Sequence, residues 1–174
     1  MEKEKRTLKF SEIFGFGAGG MFTYGFQLMI TGYYLLYYMT DIAGFSTVLA
    51  ASLYSTIQII KMVTMLFSGV IIDAINFRSG KYRTWVLVSG IGLGLFFPLS
   101  FFYYPLPQSA YVVVFMIIYT LQTLFYNVGW TAMRAVIGKV AKNKADVVAL
   151  NTSAQSAGTI SSILYGYIGC AITL

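Results

Sequence analysis

Long apolar runs separated by short polar segments dominate this sequence. A helix needs about 20 apolar residues to cross the hydrocarbon core of a membrane. Five runs qualify, at residues 13–39, 47–72, 84–104, 111–138 and 147–174. With 57% hydrophobic and only 10% charged residues, the composition is typical of a chain whose solvent is lipid. Because backbone groups in lipid must bond within their own segment, we predict an all-α, polytopic membrane protein with about five transmembrane helices.

The positions of Lys and Arg predict how these helices are oriented. Positive charge collects in short loops on the cytoplasmic side of a membrane. It occurs in residues 1–12 and in the loops that follow the second and fourth spans, and the other two loops contain none. We therefore expect residues 1–12 to be a cytoplasmic segment of an inner (plasma) membrane protein. Lipid headgroups are a simpler partner for the net charge of +6 than nucleic acid, which needs one continuous basic face.

The residue types that this sequence lacks limit its chemistry. It contains no His and one Cys, Cys170. Imidazole chemistry, an internal disulfide and the usual zinc sites are thereby excluded within this sequence. The spans also carry no paired-carboxylate site and no credible Ser or Cys triad. We expect neither an enzyme nor a resident metal or cofactor.

Glycines recur inside the predicted spans. Gly15, Gly17 and Gly20 match the G-x-G-x-x-G spacing of dinucleotide-binding loops, but that motif needs a preceding strand and an acid about 20 residues later. Here a membrane span follows instead. We interpret the glycines as points where neighbouring helices pack closely in lipid. The same interpretation covers Gly90, Gly92, Gly94, Gly158, Gly166 and Gly169.

A charged hairpin, GVIIDAINFRSGKYRTW at residues 69–85, joins the second and third spans. It places Asp73 near Arg78 and Arg83. An acid at a helix end beside basic residues can hold two cytoplasmic helix ends together, and a transport cycle could break and remake that contact. The alternative is a static anchor that follows the positive-inside rule.

The hairpin resembles the signature between helices two and three of the glycoside-pentoside-hexuronide:cation symporters, the melibiose-permease-like branch of the major facilitator superfamily. Residues 15–18 and 37–46 also look like that family. The resemblance implies secondary active symport of a sugar, glycoside or sugar acid by alternating access, with gating by the charged loop. The residues that carry the signature are Gly69, Asp73, Arg78, Gly80, Lys81, Arg83 and Trp85.

The family fold that the resemblance implies has twelve helices in two halves, with the solute site between them near the membrane midplane. Five spans correspond to a partial N-terminal half, so we expect transport to require a missing C-terminal half or a partner subunit. The alternative is a truncated, non-transporting membrane interaction protein or a half-size subunit.

Lys61 lies about fifteen residues into the second span, where a lysine costs roughly 2.5 to 3.5 kcal/mol on a translocon-based scale. We expect it to face a polar cavity, a carboxylate from outside this sequence, or the solute. In the family pattern, acids that bind the coupling cation fall at Lys61, Thr64 and Met65, and a Lys-Asp pair falls at Met21 and Phe22. A coupling cation, either a proton or sodium, is expected, and the missing acids disfavour sodium. Lys61 and Thr64 are the coupling candidates: the lysine could replace the cation with a tethered positive charge or release its proton during transport, and a purely structural buried pair is the alternative.

The fourth span carries a candidate solute site. Trp130 and Arg134 are four residues apart and so project from one helix face. An aromatic face packs against a pyranose, and an arginine donates paired hydrogen bonds to hydroxyls or a carboxylate. The alternative is an interfacial Trp130 and an Arg134 that snorkels to the cytoplasm. Lys61 and Arg134 favour an anionic solute such as a hexuronide.

Other polar residues of the spans are candidates for lining the solute path. The family's sugar-binding arginine of the fifth helix falls near Gln155, and Tyr24, Gln27 and Tyr126 are the further substrate-binding candidates. Tyr37, Tyr38, Tyr103 and Tyr104 cluster at the predicted external edge and are typical of an aromatic belt. The remaining path-lining candidates are Tyr33, Tyr34, Gln58, Gln122 and Asn127.

Overall fold

The structure is a computed structural model that describes residues 7–75, Phe77 and residues 80–173. Within these ranges, the side chains of residues 20–23, 26, 29–30 and 168–173 are not described. All regular structure in the described residues is helical. The all-α prediction is confirmed.

The described residues form seven α-helical segments, with three π-helical turns among the first of them. The π turns are Gly17–Met21, Ile30–Tyr34 and Tyr38–Ile42. The α-helices are α1 (Phe10–Phe16), α2 (Phe22–Met29), α3 (Leu35–Tyr37), α4 (Thr47–Ala74), α5 (Lys81–Ser100), α6 (Gln108–Val140) and α7 (Lys144–Thr173).

Residues 10–42 form one run of alternating α and π structure where a single span was predicted. The run ends at Ile42, and Gly44, whose φ of +69° favours glycine, turns the chain two residues later. The amide of Ala43 donates to the carbonyl of Tyr38 at 2.8 Å, and the amide of Phe45 donates to that of Met39 at 2.9 Å. These bonds satisfy carbonyls that the helix end would otherwise leave unpaired.

Helix α5 differs from the predicted third span, residues 84–104, because it begins three residues earlier and ends four residues earlier. Gly80, with φ +101°, turns the chain immediately before Lys81. Near the other end, Pro98 lies inside the last turn, and the Phe101 amide bonds to the Pro98 carbonyl at 3.1 Å. That tightened turn ends the helix at Ser100.

By length and composition, α4, α5 and α6 are long and apolar enough to cross a membrane. Residues 10–42 and helix α7 are helical over the first and fifth predicted spans, but neither is among the three helices that meet this measure in the described residues. Five membrane crossings therefore stay a prediction.

The chain divides into two compact units. The first comprises residues 1–35 and 134–174, and the second comprises residues 36–133. In the first unit, a side chain at Gly17 would collide with Ser153, whose Oγ donates to the Ile13 carbonyl at 2.7 Å. The close-packing prediction is confirmed at Gly17 and wrong at Gly15, where no atom of the described residues lies within 4 Å of a Cβ.

The second unit packs α4, α5 and α6 around a buried cluster of Ile72, Trp85, Val128 and Ala132. A Cβ at Gly92 would collide with the Phe125 ring. Gly90 and Gly94, for which close packing was also predicted, have open space. They point away from the side of α5 that faces α6.

Tyr38 of the second unit is not an aromatic-belt residue, contrary to the prediction, because its side chain is only 3% exposed. Its hydroxyl donates to the Phe102 carbonyl at 2.9 Å and lies 2.7 Å from the Tyr111 hydroxyl. The Phe115 ring stacks against it with centroids 6.2 Å apart. Tyr37, in contrast, is exposed.

Candidate functional site

Lys61 projects from the middle of α4 onto an aromatic ring of α6. Its Nζ lies 5.7 Å from the centroid of the Tyr126 ring, and the lysine is half-buried. A ring face attracts a cation within about 6 Å. No described carboxylate lies within ion-pair distance of this Nζ. Among the described residues, the Tyr126 ring therefore stabilises this charge through a cation–π contact.

The aromatic surface at Lys61 extends along α6. The rings of Tyr126 and Trp130, one helical turn apart, stack with centroids 6.4 Å apart and an interplanar angle of 12°. Tyr126 is buried and Trp130 is partly exposed. An ammonium group thus lies against one member of a stacked aromatic pair, an arrangement suited to a ligand with both apolar ring faces and polar or negative groups.

A hydrogen-bond network joins the backbone of Lys61 to α6. Asn127 is 2% exposed, and its Nδ2 donates to the Lys61 carbonyl at 3.0 Å and to Thr64 Oγ1 at 2.6 Å. Thr64 Oγ1 lies 2.9 Å from the Ile60 carbonyl, to which it donates. The structure therefore brings the predicted residues Lys61, Thr64 and Tyr126 together around Asn127, whose place in this network the sequence did not reveal.

Gln122 has a packing role rather than the predicted path-lining role. It is fully buried, and its Oε1 accepts a hydrogen bond from Ser100 Oγ at 2.7 Å. This bond joins α5 to α6. Three buried polar atoms of the second unit lack a hydrogen-bond partner among the described residues: Trp85 Nε1, Ser89 Oγ and Gln122 Nε2.

The four remaining candidates for substrate binding belong to the first compact unit. Tyr24 and Gln27 of α2 are buried, with 6% and 7% exposure. Arg134 of α6 and Gln155 of α7 are exposed. Arg134 follows Trp130 by one turn of the same helix.

The charged hairpin contains an ion pair between Asp73 and Lys81, and the predicted contact of Asp73 with Arg83 is wrong. Asp73 Oδ1 lies 2.6 Å from Nζ of Lys81, and no described ion pair joins Asp73 to Arg83. Lys81 is the first residue of α5, so its flexible stem reaches back to the end of α4, whereas Arg83 lies two residues further along and is exposed. Arg78 lies outside the described residues.

A second polar cluster, in the first unit, centres on Asp146, which sequence reasoning missed. This buried carboxylate accepts hydrogen bonds from the Thr7 amide at 2.9 Å, from the Thr7 hydroxyl, from the Leu8 amide at 3.2 Å and from the Lys142 amide at 3.4 Å. Burial raises the pKa of Asp146, but these hydrogen bonds outweigh it and hold the pKa below its ordinary value of 3.8. The cluster ties the segment before α1 to the start of α7.

Comparison with known proteins places these helices in a family. A family model for MFS/sugar transport proteins matches residues 15–174. The chain belongs to this family. The resemblance carried by the hairpin is thereby confirmed, and the family is one of transport proteins. The chain is therefore a membrane protein of the major facilitator superfamily and is related to sugar transport proteins.

Individual relatives agree with this placement. The chain is 29% identical over 126 residues to a putative glycoside/cation symporter of Escherichia coli, covering 71% of this chain and 27% of that protein. It is 23% identical over 164 residues to an isoprimeverose transporter of Lactiplantibacillus pentosus, covering 94% of this chain and 34% of the relative. A glucuronide carrier protein homolog of Escherichia coli is 28% identical over 94 residues, or 54% of this chain and 20% of the relative. The chain thus spans about a third or less of these relatives' lengths, and no solved structure matches it.

Proposed function

We propose that the full-length protein is a symporter that moves a sugar, glycoside or sugar acid across the inner membrane by alternating access. The observation that carries this proposal is the Lys61 ammonium group against Tyr126, beside the stacked Trp130. Aromatic faces pack against the apolar face of a pyranose, and an ammonium group binds hydroxyl or carboxylate oxygens. Family membership supplies the transport chemistry.

An anionic sugar fits this arrangement better than a neutral one. The acids nearest to Lys61 in the sequence of the second unit, Asp41 and Asp73, lie at opposite ends of the α4 region, so a carboxylate on the solute would be the natural counter-charge. In the sequence, Arg134 is the second basic residue that favours an anionic solute. One relative is named a glucuronide carrier protein homolog, which agrees with a hexuronide as the solute.

The same lysine favours proton coupling over sodium coupling. A sodium ion at Lys61 would meet a positive charge, and Thr64 Oγ1 already accepts the Asn127 amide. A lysine can take the place of a bound cation or release its proton during the cycle. Gating would fall to the Asp73–Lys81 pair at the cytoplasmic face, with residues 1–12 on the same side. The opposite wall of the solute site would come from a C-terminal half or a partner subunit.

Uptake by cells that express the full-length protein tests this function. We expect uptake of a radiolabelled glucuronide, and we expect Lys61→Ala to reduce it at least about tenfold, equivalent to about 1.4 kcal/mol of lost binding, at unchanged membrane abundance. A neutral glycoside should be affected less. Lys139→Ala, which removes an exposed lysine from the last turn of α6, is the matched control.

Two outcomes would contradict the proposal in different ways. Unaltered glucuronide uptake by Lys61→Ala would remove this residue from the mechanism. The absence of uptake of any sugar tested, together with stable co-purification of a second membrane protein, would favour the non-transporting interaction protein.

A further inference from the structure

Two consecutive residues of α6 contact opposite ends of Lys61. Tyr126 lies against the ammonium group, with Nζ 5.7 Å from its ring centroid. Asn127 contacts the backbone of the same residue, with Nδ2 3.0 Å from the Lys61 carbonyl oxygen. One turn of α6 therefore contacts both the side chain and the backbone of Lys61.

The chemistry of this contact requires an amide at position 127. A backbone carbonyl only accepts hydrogen bonds, so the nitrogen of Asn127 must face Lys61. Thr64 Oγ1 donates its proton to a carbonyl of its own helix and so also accepts from Asn127, at 2.6 Å. At 2% exposure, Asn127 leaves no room for bulk water to replace these bonds. A leucine, which has the same branched shape, removes both N–H donors.

We propose that Asn127 is a positioning residue for Lys61. By bonding the turn of α4 that contains Lys61 and Thr64 to α6, it sets where the ammonium group lies over Tyr126 and thereby how tightly an anionic sugar is held. The effect on sugar affinity rests on the proposed function, whereas the effect on the position of Lys61 does not.

The chain provides a matched control for this contact. Ser68 and Thr131 join the same two helices through hydroxyl oxygens 2.7 Å apart, about two turns along α4 from Lys61. Ser68→Ala therefore removes one hydrogen bond between α4 and α6 without touching the lysine. A general weakening of helix packing would affect Ser68→Ala and Asn127→Leu alike, whereas positioning affects only the latter.

The experiment compares both variants in the full-length protein by two readouts. For glucuronide uptake, we expect Asn127→Leu to raise KM about five- to tenfold, the value of one or two lost hydrogen bonds, with the maximal rate changed less than about twofold. For Lys61 itself, reductive methylation with formaldehyde, followed by peptide mass spectrometry, should be faster in Asn127→Leu because the amine is no longer held against Tyr126. Ser68→Ala should match the unmodified protein in both readouts.

Each result decides a separate point. A folded Asn127→Leu variant with unchanged KM and unchanged Lys61 methylation overturns the positioning role. If the unmodified protein takes up no sugar, the proposed function fails, and methylation still decides whether Asn127 positions Lys61. If Asn127→Leu does not fold, Asn127→Ala replaces it, since it removes both hydrogen bonds to α4 without adding volume; unchanged methylation of Lys61 in that variant would likewise overturn the proposal.

Discussion

A single methyl group added at Gly92 should destabilise the second unit, whereas the same group added two residues later should not. Gly92 faces α6, where an added Cβ would collide with three atoms of the Phe125 ring. Gly94 is on the same helix and has nothing within 4 Å of the corresponding position. The comparison of Gly92→Ala with Gly94→Ala therefore isolates one interhelical contact.

The size of the difference follows from two opposing effects. Alanine has a higher helix propensity than glycine by about 1 kcal/mol, and this gain is common to both variants. Overpacking adds a cost of about 1–3 kcal/mol at Gly92 alone. Phe125 cannot swing away freely, because its ring stacks on Phe96 with centroids 5.6 Å apart and an interplanar angle of 13°. We expect Gly92→Ala to be less stable than Gly94→Ala by about 1–3 kcal/mol, because the helix gain cancels.

Equilibrium unfolding of the purified full-length protein by SDS in mixed micelles would measure this difference, with the unmodified protein as reference. Gly94→Ala should unfold at the same or a slightly higher SDS fraction, and Gly92→Ala at a lower one. Equal midpoints for the two variants would show that α5 and α6 do not approach closely at Gly92, and the interpretation of this glycine as a packing site would be wrong.

Two further variants test buried polar contacts. Tyr38→Phe should cost about 1–2 kcal/mol, because it leaves the Tyr111 hydroxyl without its partner, whereas Tyr37→Phe on the exposed side should change stability little; equal melting temperatures would contradict the buried hydrogen bond. Asp146→Asn should lower the melting temperature at pH 7. Since the pKa of Asp146 is held below its ordinary value of 3.8, the stabilisation is complete above that value and is lost as pH falls through the lowered pKa, so the two proteins should converge in acid. A difference that stays constant from pH 7 to strongly acidic pH would refute this, and Asp41→Asn, at an exposed acid, is the control.

The helices and the family were predictable from the sequence because both depend on local patterns. Apolar runs long enough to span lipid predicted α4 and α6 to within a few residues, and the hairpin around Asp73 carried the family resemblance. The π turns were not predictable in this way. They change the hydrogen-bond pattern within an apolar run without changing its hydropathy. The hydropathy of residues 10–42 therefore predicts one uniform helix.

Contacts between helices were much harder to predict. Each span is apolar around most of its circumference, so hydropathy does not show which face of α6 meets α4. The sequence singled out Lys61 by its depth in the membrane, but the pairing with Tyr126 and Asn127 depends on the rotation and register of two helices. Likewise, the choice of Lys81 over Arg83 as the partner of Asp73 depends on where α5 begins.

The π turns between α1 and α3 make the length of this run adjustable. A π turn holds about one residue more than the α turn it replaces, and one residue corresponds to about 100° of rotation around a helix. Removing one residue from Gly17–Met21 would allow this turn to become α-helical with its backbone bonds intact, but would rotate everything before it, including Ile13, to another face. The Ile13 carbonyl would then lose Ser153. The first predicted span therefore resembles a helix that carries a single-residue insertion at each π turn.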